Sequence, residues 1–568
     1  MLLLRLNRRK PGKMAIAVAL LAIFVAAFWG GAHVSQTVFD GLPHVEDEDA
    51  FLFQAKVIAT GRIFVPSPPL PQFFPTQFVI DRDGKRFGKY PPGYSAVLSL
   101  GVLAGQPRLV NPLLGAISLI VIFLIGRELY SNLVGLLAAG LGVVSPFFLM
   151  QSGSYMSHPA TLVFVALFVL FFVKGSRSPN LIFPILAGAT LGMAYITRQL
   201  TTAGIAVPFV LYGLVDLRRG WRSVRKYGLM SFVFAIFAGL LLLYNRELTG
   251  DPFLNPYELW WPFDTVGFGP KVGGGEHTLE AALIESQINL TALADYLFGW
   301  PARLSLAFLA VPFLMRSRKL WDWLLLGSAA GLMIAYMAYW TSGEMYGPRY
   351  YYEALPMFLL LTARGMLEVW RGLSWMIRWT VVGRTSRRRG VTGGDGPHPN
   401  PLPEGEGTPL YHLPLRKTTQ PLHLPLGEET RPSPLPLGEG RVRVSQFVAG
   451  TMLSLFFAVL VYKGLGEFLP SQMAFFKDWY GVTSAPVEAV KRAGIRNALV
   501  FVSEQKSWTE FATLDAANSP DYDSDIVFAA ALDREDGNLM LLYPGRTYYR
   551  IVGNDIKPYA ESMASGTD

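Results

Sequence analysis

The chain has 568 residues, of which 51% are hydrophobic and 16% charged, and this composition is typical of a protein that crosses a membrane many times rather than of a soluble globule. It contains no cysteine, which excludes disulfides and thiolate metal sites. Its formal net charge is +8, but the basic residues lie mostly in short loops between apolar segments, so membrane topology explains them better than nucleic-acid binding.

Apolar segments that suit a bilayer recur along most of the chain. Basic residues precede the first one and no small-residue cleavage site is present, which predicts a retained signal anchor with a cytoplasmic N-terminus. We expect about eleven transmembrane helices, at residues 14–34, 109–125, 133–150, 161–173, 181–196, 201–215, 229–244, 304–315, 321–340, 354–363 and 447–461. Residues 94–104 form either a half-helix or the start of the second span.

The loops between these segments predict the topology. Threading from a cytoplasmic N-terminus places the basic loops on the cytoplasmic side, in agreement with the positive-inside rule; they are residues 174–177, 218–226, 316–319 and 384–389. The same threading places residues 35–93, 245–300 and those after about 464 outside. We therefore expect a multi-pass protein of the inner (plasma) membrane whose polar segments share one external face.

Four consecutive acids, residues 46–49, follow the first apolar segment. Adjacent carboxylates repel one another and raise at least one pKa, so Asp47 and Glu48 suit a general base with a supporting acid, or metal ligands. A solvated acidic loop is the alternative. The run leads into residues 50–59, which are expected to form an amphipathic helix along the membrane surface, and this anchor favours a functional role.

Three cationic residues fall near the same predicted face. Lys89 precedes a tyrosine and two prolines on a stiff loop, which suits phosphate binding, with a turn at a helix start as the alternative. Arg349 stands among tyrosines and would bind phosphate bidentately or anchor the chain at the lipid interface. Arg198 interrupts an apolar stretch and would bind a lipid phosphate or extend to the headgroups.

Further polar and aromatic residues complete the expected substrate pocket. His158 would either bind substrate or cap a helix. Glu276 and His277 follow three glycines and would either complete the pocket or ligate a metal, although one histidine with scattered acids is a weak metal pattern. No cofactor is firmly predicted, and a divalent metal ion is the one candidate. The expected pocket residues are Tyr90, His158, Glu276, His277, Glu344, Tyr346 and Tyr350.

The last third of the chain changes character twice. Residues 390–444 are rich in Pro, Gly and Glu and repeat Leu-Pro every eleven residues, which predicts a disordered, dispensable insertion rather than a proline-rich docking segment. We place this cytoplasmic insertion at 371–445 and the last span at 446–466. Beyond it, a helix at 484–492, strands at 498–503, 526–531 and 547–552, and a turn at 536–538 predict a small external α/β domain at 467–568 that caps the membrane domain.

Several of these motifs together resemble the GT-C superfamily of polytopic glycosyltransferases. They are the acidic pair, the amphipathic helix after it, Lys-Tyr-Pro-Pro-Gly, Ser-His-Pro and Gly-Pro-Arg-Tyr-Tyr-Tyr-Glu-Ala-Leu-Pro. The similarity is to bacterial relatives of the protein O-mannosyltransferases and the lipid A aminoarabinose transferases, and it covers residues 14–364. It implies an all-α polytopic membrane domain of GT-C type at residues 1–370, with amphipathic helices in its external loops.

The resemblance also implies an activity: transfer of a hexose or pentose from a polyprenyl-phosphate carrier to an acceptor hydroxyl on the external face, with inversion. Asp47 corresponds to the family's base, with Glu48 as a supporting acid and with Glu46 or Asp49 as alternative counterparts. Lys89 corresponds to a lysine near the lipid phosphate, although Tyr90 is inserted before the prolines. The implied partners are the lipid-linked sugar, a lipid, glycan or protein acceptor, and membrane lipids.

Two other classes of function compete with this one. A transporter or flippase of lipid-linked sugars should show inverted repeats and charges near mid-membrane. The apolar segments show no internal repeat, and the charges concentrate in loops. A non-catalytic protein of envelope assembly would tolerate substitution of the acidic run.

Overall fold

The structure is a computed structural model that describes residues 12–315, 317–389, 450–503 and 509–560, with side chains left out of the description at 377–389. Of these, residues 12–369 and 456–560 form one compact unit. Residues 370–389 and 450–455 belong to a second unit and are helical. All further description concerns the first unit unless a helix extends beyond it.

Helices dominate the described chain. In order they are α1 (Lys13–Thr37), α2 (Glu46–Ala59), α3 (Pro92–Leu103), α4 (Val110–Leu129), α5 (Asn132–Val143), α6 (Pro146–Gly153), α7 (His158–Arg177), α8 (Ile182–Tyr195), α9 (Gln199–Asp216), α10 (Trp221–Thr249), α11 (Pro256–Trp260), α12 (Leu279–Tyr296), α13 (Ala307–Leu314), α14 (Leu320–Tyr336), α15 (Leu355–Arg389), α16 (Gly450–Gly481), α17 (Ala485–Ala493), α18 (Thr509–Asp515) and α19 (Asp536–Leu542).

In the described residues, nine short strands form three sheets. The strands are β1 (Val65–Pro66), β2 (Val79–Arg82), β3 (Lys85–Gly88), β4 (Gly269–Pro270), β5 (Glu276–His277), β6 (Ala498–Ser503), β7 (Ile526–Ala530), β8 (Thr547–Val552) and β9 (Asp555–Pro558). The first sheet is antiparallel in the order β1-β3-β2, and β4 pairs with β5. In the third, β6 is parallel to both β7 and β8, and β9 closes the edge antiparallel to β8.

The described helices confirm a membrane protein but not eleven spans. Six helical segments are long and apolar enough to cross a bilayer: Lys13–Thr37, Pro107–Leu129, His158–Arg177, Gln199–Arg219, Trp221–Thr249 and Gly450–Gly481. Two bent pairs raise the number to eight at most, namely α5 with α6 and α12 with Pro301–Leu314. They are bent by 62° and 96°, respectively.

Breaks and short helices explain the difference in count. The predicted span 133–150 is interrupted because Ser145 caps a new helix, its hydroxyl accepting the Phe148 N–H, and Pro146 starts that helix. Residues 304–315 contain the end of the 3-10 helix Pro301–Leu306 and the eight-residue helix α13, which together are too short to cross a bilayer alone. The predicted spans 181–196 and 321–340 form α8 and α14, which are apolar but shorter than the long helices. The ambiguous stretch 94–104 is a separate helix, α3.

The acidic run begins a helix, as predicted, and the apolar side chains of that helix pack inside the protein. In α2 the apolar residues of about one turn are all buried by protein; they are Ala50, Phe51, Leu52 and Phe53. The helix packs against α3 and β3. The aromatic side chains that suggested a membrane contact therefore form an internal core, which fixes the helix that carries the acids.

The predicted secondary structure of the C-terminal region is present as a small sheet with flanking helices. The helix and the strands occur within one residue of their predicted limits, with residues 498–503 and 547–552 matching at both ends. The predicted turn at 536–538 is wrong, because these residues start α19, where Asp536 accepts the Leu532 N–H at 2.7 Å. Residues 371–389 continue α15, and the rest of the predicted insertion lies outside the described residues.

Gly93 brings two loops of the membrane domain together. Its N–H donates to the Ile196 carbonyl at 2.9 Å, and a Cβ atom here would lie 2.8 Å from that oxygen. Only glycine allows this approach. The contact places the loop that ends in Lys89 beside the turn that carries Arg198.

Candidate active site

A cavity of about 540 Å³ lies where the loop after α1 meets the α8–α9 turn and the loops after α10 and α14. Its wall contains three cations, Lys89, Arg198 and Arg349. It also contains the acids Glu46, Asp47, Glu258 and Asp264. Nine aromatic side chains complete it: Phe78, Tyr90, Tyr195, Tyr257, Trp261, Tyr336, Tyr339, Trp340 and Tyr350. Charge and aromatic surface together suit a phosphate and a sugar ring.

Asp47 is held by two donors in the first turn of α2. Its Oδ1 accepts the Tyr90 hydroxyl at 2.5 Å, and its Oδ2 accepts Nη1 of Arg349 at 3.3 Å. Burial raises the pKa of this carboxyl, but Arg349, the Tyr90 hydrogen bond and Lys89 together outweigh burial and hold the pKa below its usual value. Asp47 is therefore ionised at neutral pH and can accept a proton.

Glu48 lies outside the cavity, and its side chain binds backbone N–H groups near the start of α2. Its two carboxylate oxygens accept the N–H groups of His44, at 2.8 Å, and Tyr155, at 3.1 Å. Burial raises its pKa to about 8, although these two hydrogen bonds oppose the rise. Of the other acids in the run, Glu46 lines the cavity and Asp49 is buried on a different side of the helix. The four acids thus have distinct surroundings.

Lys89 lies in an aromatic cage. Its Nζ is 3.6 Å from the ring centre of Phe78, 4.5 Å from that of Trp261 and 5.2 Å from that of Tyr257. Burial lowers the pKa of Lys89, and Asp264 and Asp47 oppose this. Ring faces stabilise an ammonium that has left bulk water, and here they add to the ion pair that Lys89 makes with Asp264.

Asp264, which the sequence analysis missed, accepts hydrogen bonds from three side chains. Its Oδ2 lies 3.4 Å from Lys89 Nζ. Its Oδ1 accepts the Tyr339 hydroxyl at 2.8 Å and the Trp340 indole N–H at 2.9 Å. In the sequence Asp264 is one acid among aromatic residues in a long loop, and nothing near it indicates a role. Its partners Tyr339 and Trp340 lie 75 and 76 residues away.

The two arginines differ in how firmly they are fixed. Arg198 donates to the Tyr336 hydroxyl at 2.9 Å and the Ser157 hydroxyl at 3.1 Å, and it lies 3.5 Å from Glu353. These contacts turn it inward and rule out its extension to headgroups. Arg349 contacts Asp47 and, at 3.6 Å, Met156 Sδ, and among the described residues it donates to no hydroxyl group, so fewer bonds hold it than hold Arg198.

Comparison with known proteins agrees with this architecture. Residues 94–242 match the family model described as dolichyl-phosphate-mannose-protein mannosyltransferase, whereas no curated protein sequence matches the chain. ArnT from Cupriavidus metallidurans in the apo state superposes with a TM-score of 0.53 and 12% identity, over 94% of this chain and 93% of that one. Its complex with undecaprenyl phosphate gives 0.50 and 14%, over 93% and 89%. The chain has the GT-C fold.

The GT-C resemblance predicted from the sequence is thereby confirmed. Within this fold, the cavity contains six of the predicted site residues: Asp47, Lys89, Tyr90, Arg198, Arg349 and Tyr350. The phosphate and base candidates, which lie up to 302 residues apart in sequence, thus share one space. Their roles remain predictions.

The other predicted pocket residues of the GT-C chain lie elsewhere. His158 is buried, with Nδ1 2.9 Å from Glu353 Oε1, and Tyr346 packs in the core against Phe39. Glu344 is exposed beside α12. Glu344 and Tyr346 come from the same segment as Arg349, and His158 comes from a separate motif, but these side chains support the cavity wall or face away from it.

Glu276 and His277 do not fit a metal site in this GT-C structure. Glu276 is exposed on β5, while His277 Nε2 lies 3.0 Å from the Met337 carbonyl and its ring stacks on Phe268. Within the described residues, no group of three or more His, Asp or Glu side chains could hold a metal ion. His277 therefore anchors the loop after α10 to the end of α14.

We predict that Asp264 stabilises the cavity wall. Replacing it with alanine leaves two partly buried donors and the Lys89 ammonium without their acceptor, and we expect a loss of about 3 kcal/mol of unfolding free energy. Glu258→Ala is the matched control, because Glu258 is an exposed acid of the same loop. Thermal unfolding in detergent, followed by tryptophan fluorescence, measures both. Equal melting temperatures for the two variants would contradict this role.

Proposed function

We propose that the chain is an integral membrane glycosyltransferase that moves a sugar from a polyprenyl-phosphate donor to an acceptor hydroxyl on the external face of the membrane. The observation that carries this proposal is the placement of one ionised carboxylate, Asp47, beside two cations, Lys89 and Arg349, in a single aromatic-lined cavity. The match to a dolichyl-phosphate-mannose family model and the ArnT complex with undecaprenyl phosphate support a lipid-phosphate donor.

The proposed reaction is a direct displacement at the anomeric carbon. The acceptor oxygen attacks from the face opposite the phosphate, so the new C–O bond forms with inversion while the bond from the anomeric carbon to the phosphate oxygen breaks. Asp47 takes the acceptor proton. Lys89 and Arg349 stabilise the negative charge of the departing polyprenyl phosphate.

Binding of the donor would change the surroundings of the base. In the free protein Arg349 lowers the pKa of Asp47, as does Lys89 from a greater distance. A donor phosphate competes for both cations and weakens their hold on Asp47, which raises its proton affinity when the acceptor is present. Arg198, fixed by Tyr336 and Ser157, would supply a constant positive charge to the same cavity.

The sidedness of the proposal rests on the charged loops. Threading by the positive-inside rule places the loops after α1 and α10 outside the cell, together with the C-terminal domain. All the cavity's charged residues except Arg198 and Arg349 come from these two loops. A donor presented on the external leaflet would reach the cavity without crossing the protein.

One prediction of this mechanism tests whether Asp47 is the base. Asp47→Asn removes the proton acceptor but keeps the shape of the side chain, and we expect transfer to fall about 10²- to 10⁴-fold with donor binding retained. Glu46→Gln and Asp49→Asn are the matched controls within the same run, and they should reduce transfer much less. Radiolabelled sugar transfer in membranes measures all three. Full activity of Asp47→Asn, or a greater loss in either control, would show that Asp47 is not the base.

A second prediction concerns the inserted tyrosine. Tyr90 donates a hydrogen bond to the ionised form of Asp47 and so lowers its pKa. Removing that donor in Tyr90→Phe should raise the pKa of Asp47, and the acid limb of the pH–rate profile should move to higher pH by about one unit. Tyr350→Phe alters the same cavity without touching Asp47 and should leave the midpoint in place. An unchanged midpoint in Tyr90→Phe would contradict the prediction.

A further inference from the structure

The C-terminal sheet domain, here residues 485–503 and 509–560, contacts the helix that carries Asp47. Lys56 lies nine residues after Asp47 in α2. Its Nζ donates to the Ala516 carbonyl at 2.6 Å and the Asn518 carbonyl at 2.7 Å. Two hydrogen bonds from one ammonium thus join the catalytic helix to a turn of this domain.

The surroundings of Lys56 make this contact specific. Two buried carboxylates, Asp49 and Asp515, border the same small pocket. Burial lowers the pKa of Lys56 to about 8, while Asp515 and Asp49 oppose the fall. An ammonium that is removed from water must keep its protein partners, because losing them would leave its charge uncompensated. The members of an exposed ion pair, by contrast, exchange each other for water at little cost.

The same turn of the domain also holds the hairpin that leads to Lys89. Asp515 accepts the Thr76 hydroxyl at 2.5 Å, and Tyr522 stacks on Phe74 with ring centres 3.9 Å apart. The buried guanidinium of Arg86 lies 5.5 Å from the ring centre of Tyr522. Arg86 belongs to β3, which ends one residue before Lys89. Residues 515–522 therefore contact both parts of the first loop that contribute charges to the cavity.

We infer that the C-terminal domain is a positioning element of the active site and that Lys56 is the residue through which it fixes α2, and with it Asp47, relative to Lys89. This inference rests on the proposed function for its kinetic consequence but not for its structural one. A domain that only covered the membrane part would need no partly buried ammonium that bonds it to the helix carrying Asp47.

The test uses the full chain and compares two cations at one interface. Lys56→Met removes the ammonium and keeps the length of the side chain. Arg62→Met is the matched control, because Arg62 pairs with Asp521 of the same domain but its side chain is 39% exposed. Each variant is measured for kcat and donor KM, and for hydrogen–deuterium exchange of the amides at residues 46–59.

We expect Lys56→Met to lower kcat by about tenfold to a hundredfold with a smaller change in KM, because the base is displaced while most donor contacts remain. Exchange at 46–59 should become faster. Lys56→Arg, which retains donors for both carbonyls, should recover part of the loss. Arg62→Met should resemble the wild type in both measurements.

Three results would overturn the inference: wild-type kcat in Lys56→Met, unchanged exchange at 46–59, or an equal loss in Arg62→Met. If Lys56→Met does not fold, Asn518→Ala disturbs the turn from the domain side, since the Asn518 side chain bonds Asp515 and the Phe528 backbone. Faster exchange at 46–59 would support the inference, and unchanged exchange would refute it. Absence of transfer by the wild type would refute the proposed function alone, because exchange needs no turnover.

Discussion

The partial burial of opposite charges away from bulk water is the constraint on which the rest of this structure depends. Asp47 with Arg349, and Lys89 with Asp264, join segments that are 302 and 175 residues apart in sequence. A charge in such surroundings is costly unless a partner compensates it. The loops after α1, α10 and α14 must therefore meet at one place, and the helices beneath them hold these loops within reach of one another.

This arrangement also explains how the cavity can be stable without a ligand and still bind one. In the free protein Arg349 and Lys89 each pair with a carboxylate, and aromatic rings also surround Lys89. A phosphate offers the same cations a second anionic partner with more acceptor oxygens. Exchange of a carboxylate for a phosphate would leave the carboxylate of Asp47 free at the moment when the donor is in place. Binding and activation of the base would then be one event.

Local patterns in the sequence predicted most of what depends on neighbouring residues. Apolar runs predicted the long helices, and short runs rich in β-forming residues predicted the strands at 498–503 and 547–552. The break at Ser145 was missed because one serine and one proline lower the mean hydropathy of an apolar run too little to divide it. Residues 50–59 were expected at a membrane surface, since a sequence does not distinguish a helix buried by lipid from one buried by protein.

In the candidate site, too, local sequence predicted some residues and missed those that depend on distant partners. Asp47, Lys89 and Arg349 stand in motifs with unusual charge or rigidity and were predicted to act together. Asp264 and Lys56 do not stand in motifs of unusual charge or rigidity. Each bonds to partners that lie far along the chain, and its importance comes from those partners. Glu48 was grouped with Asp47 because the two are adjacent, but successive residues of a helix point in different directions, and Glu48 instead accepts the N–H groups of His44 and Tyr155.

Transfer itself tests the central claim most directly. Membranes containing the chain would be given a panel of radiolabelled polyprenyl-phosphate sugars, and the anomeric configuration of any product would be determined by NMR. The account predicts transfer from at least one donor, with inversion at the anomeric carbon. Transfer with retention would contradict the displacement mechanism. No transfer from any donor, with lipid-linked sugars still crossing vesicles that contain the chain, would contradict the enzyme and indicate a flippase.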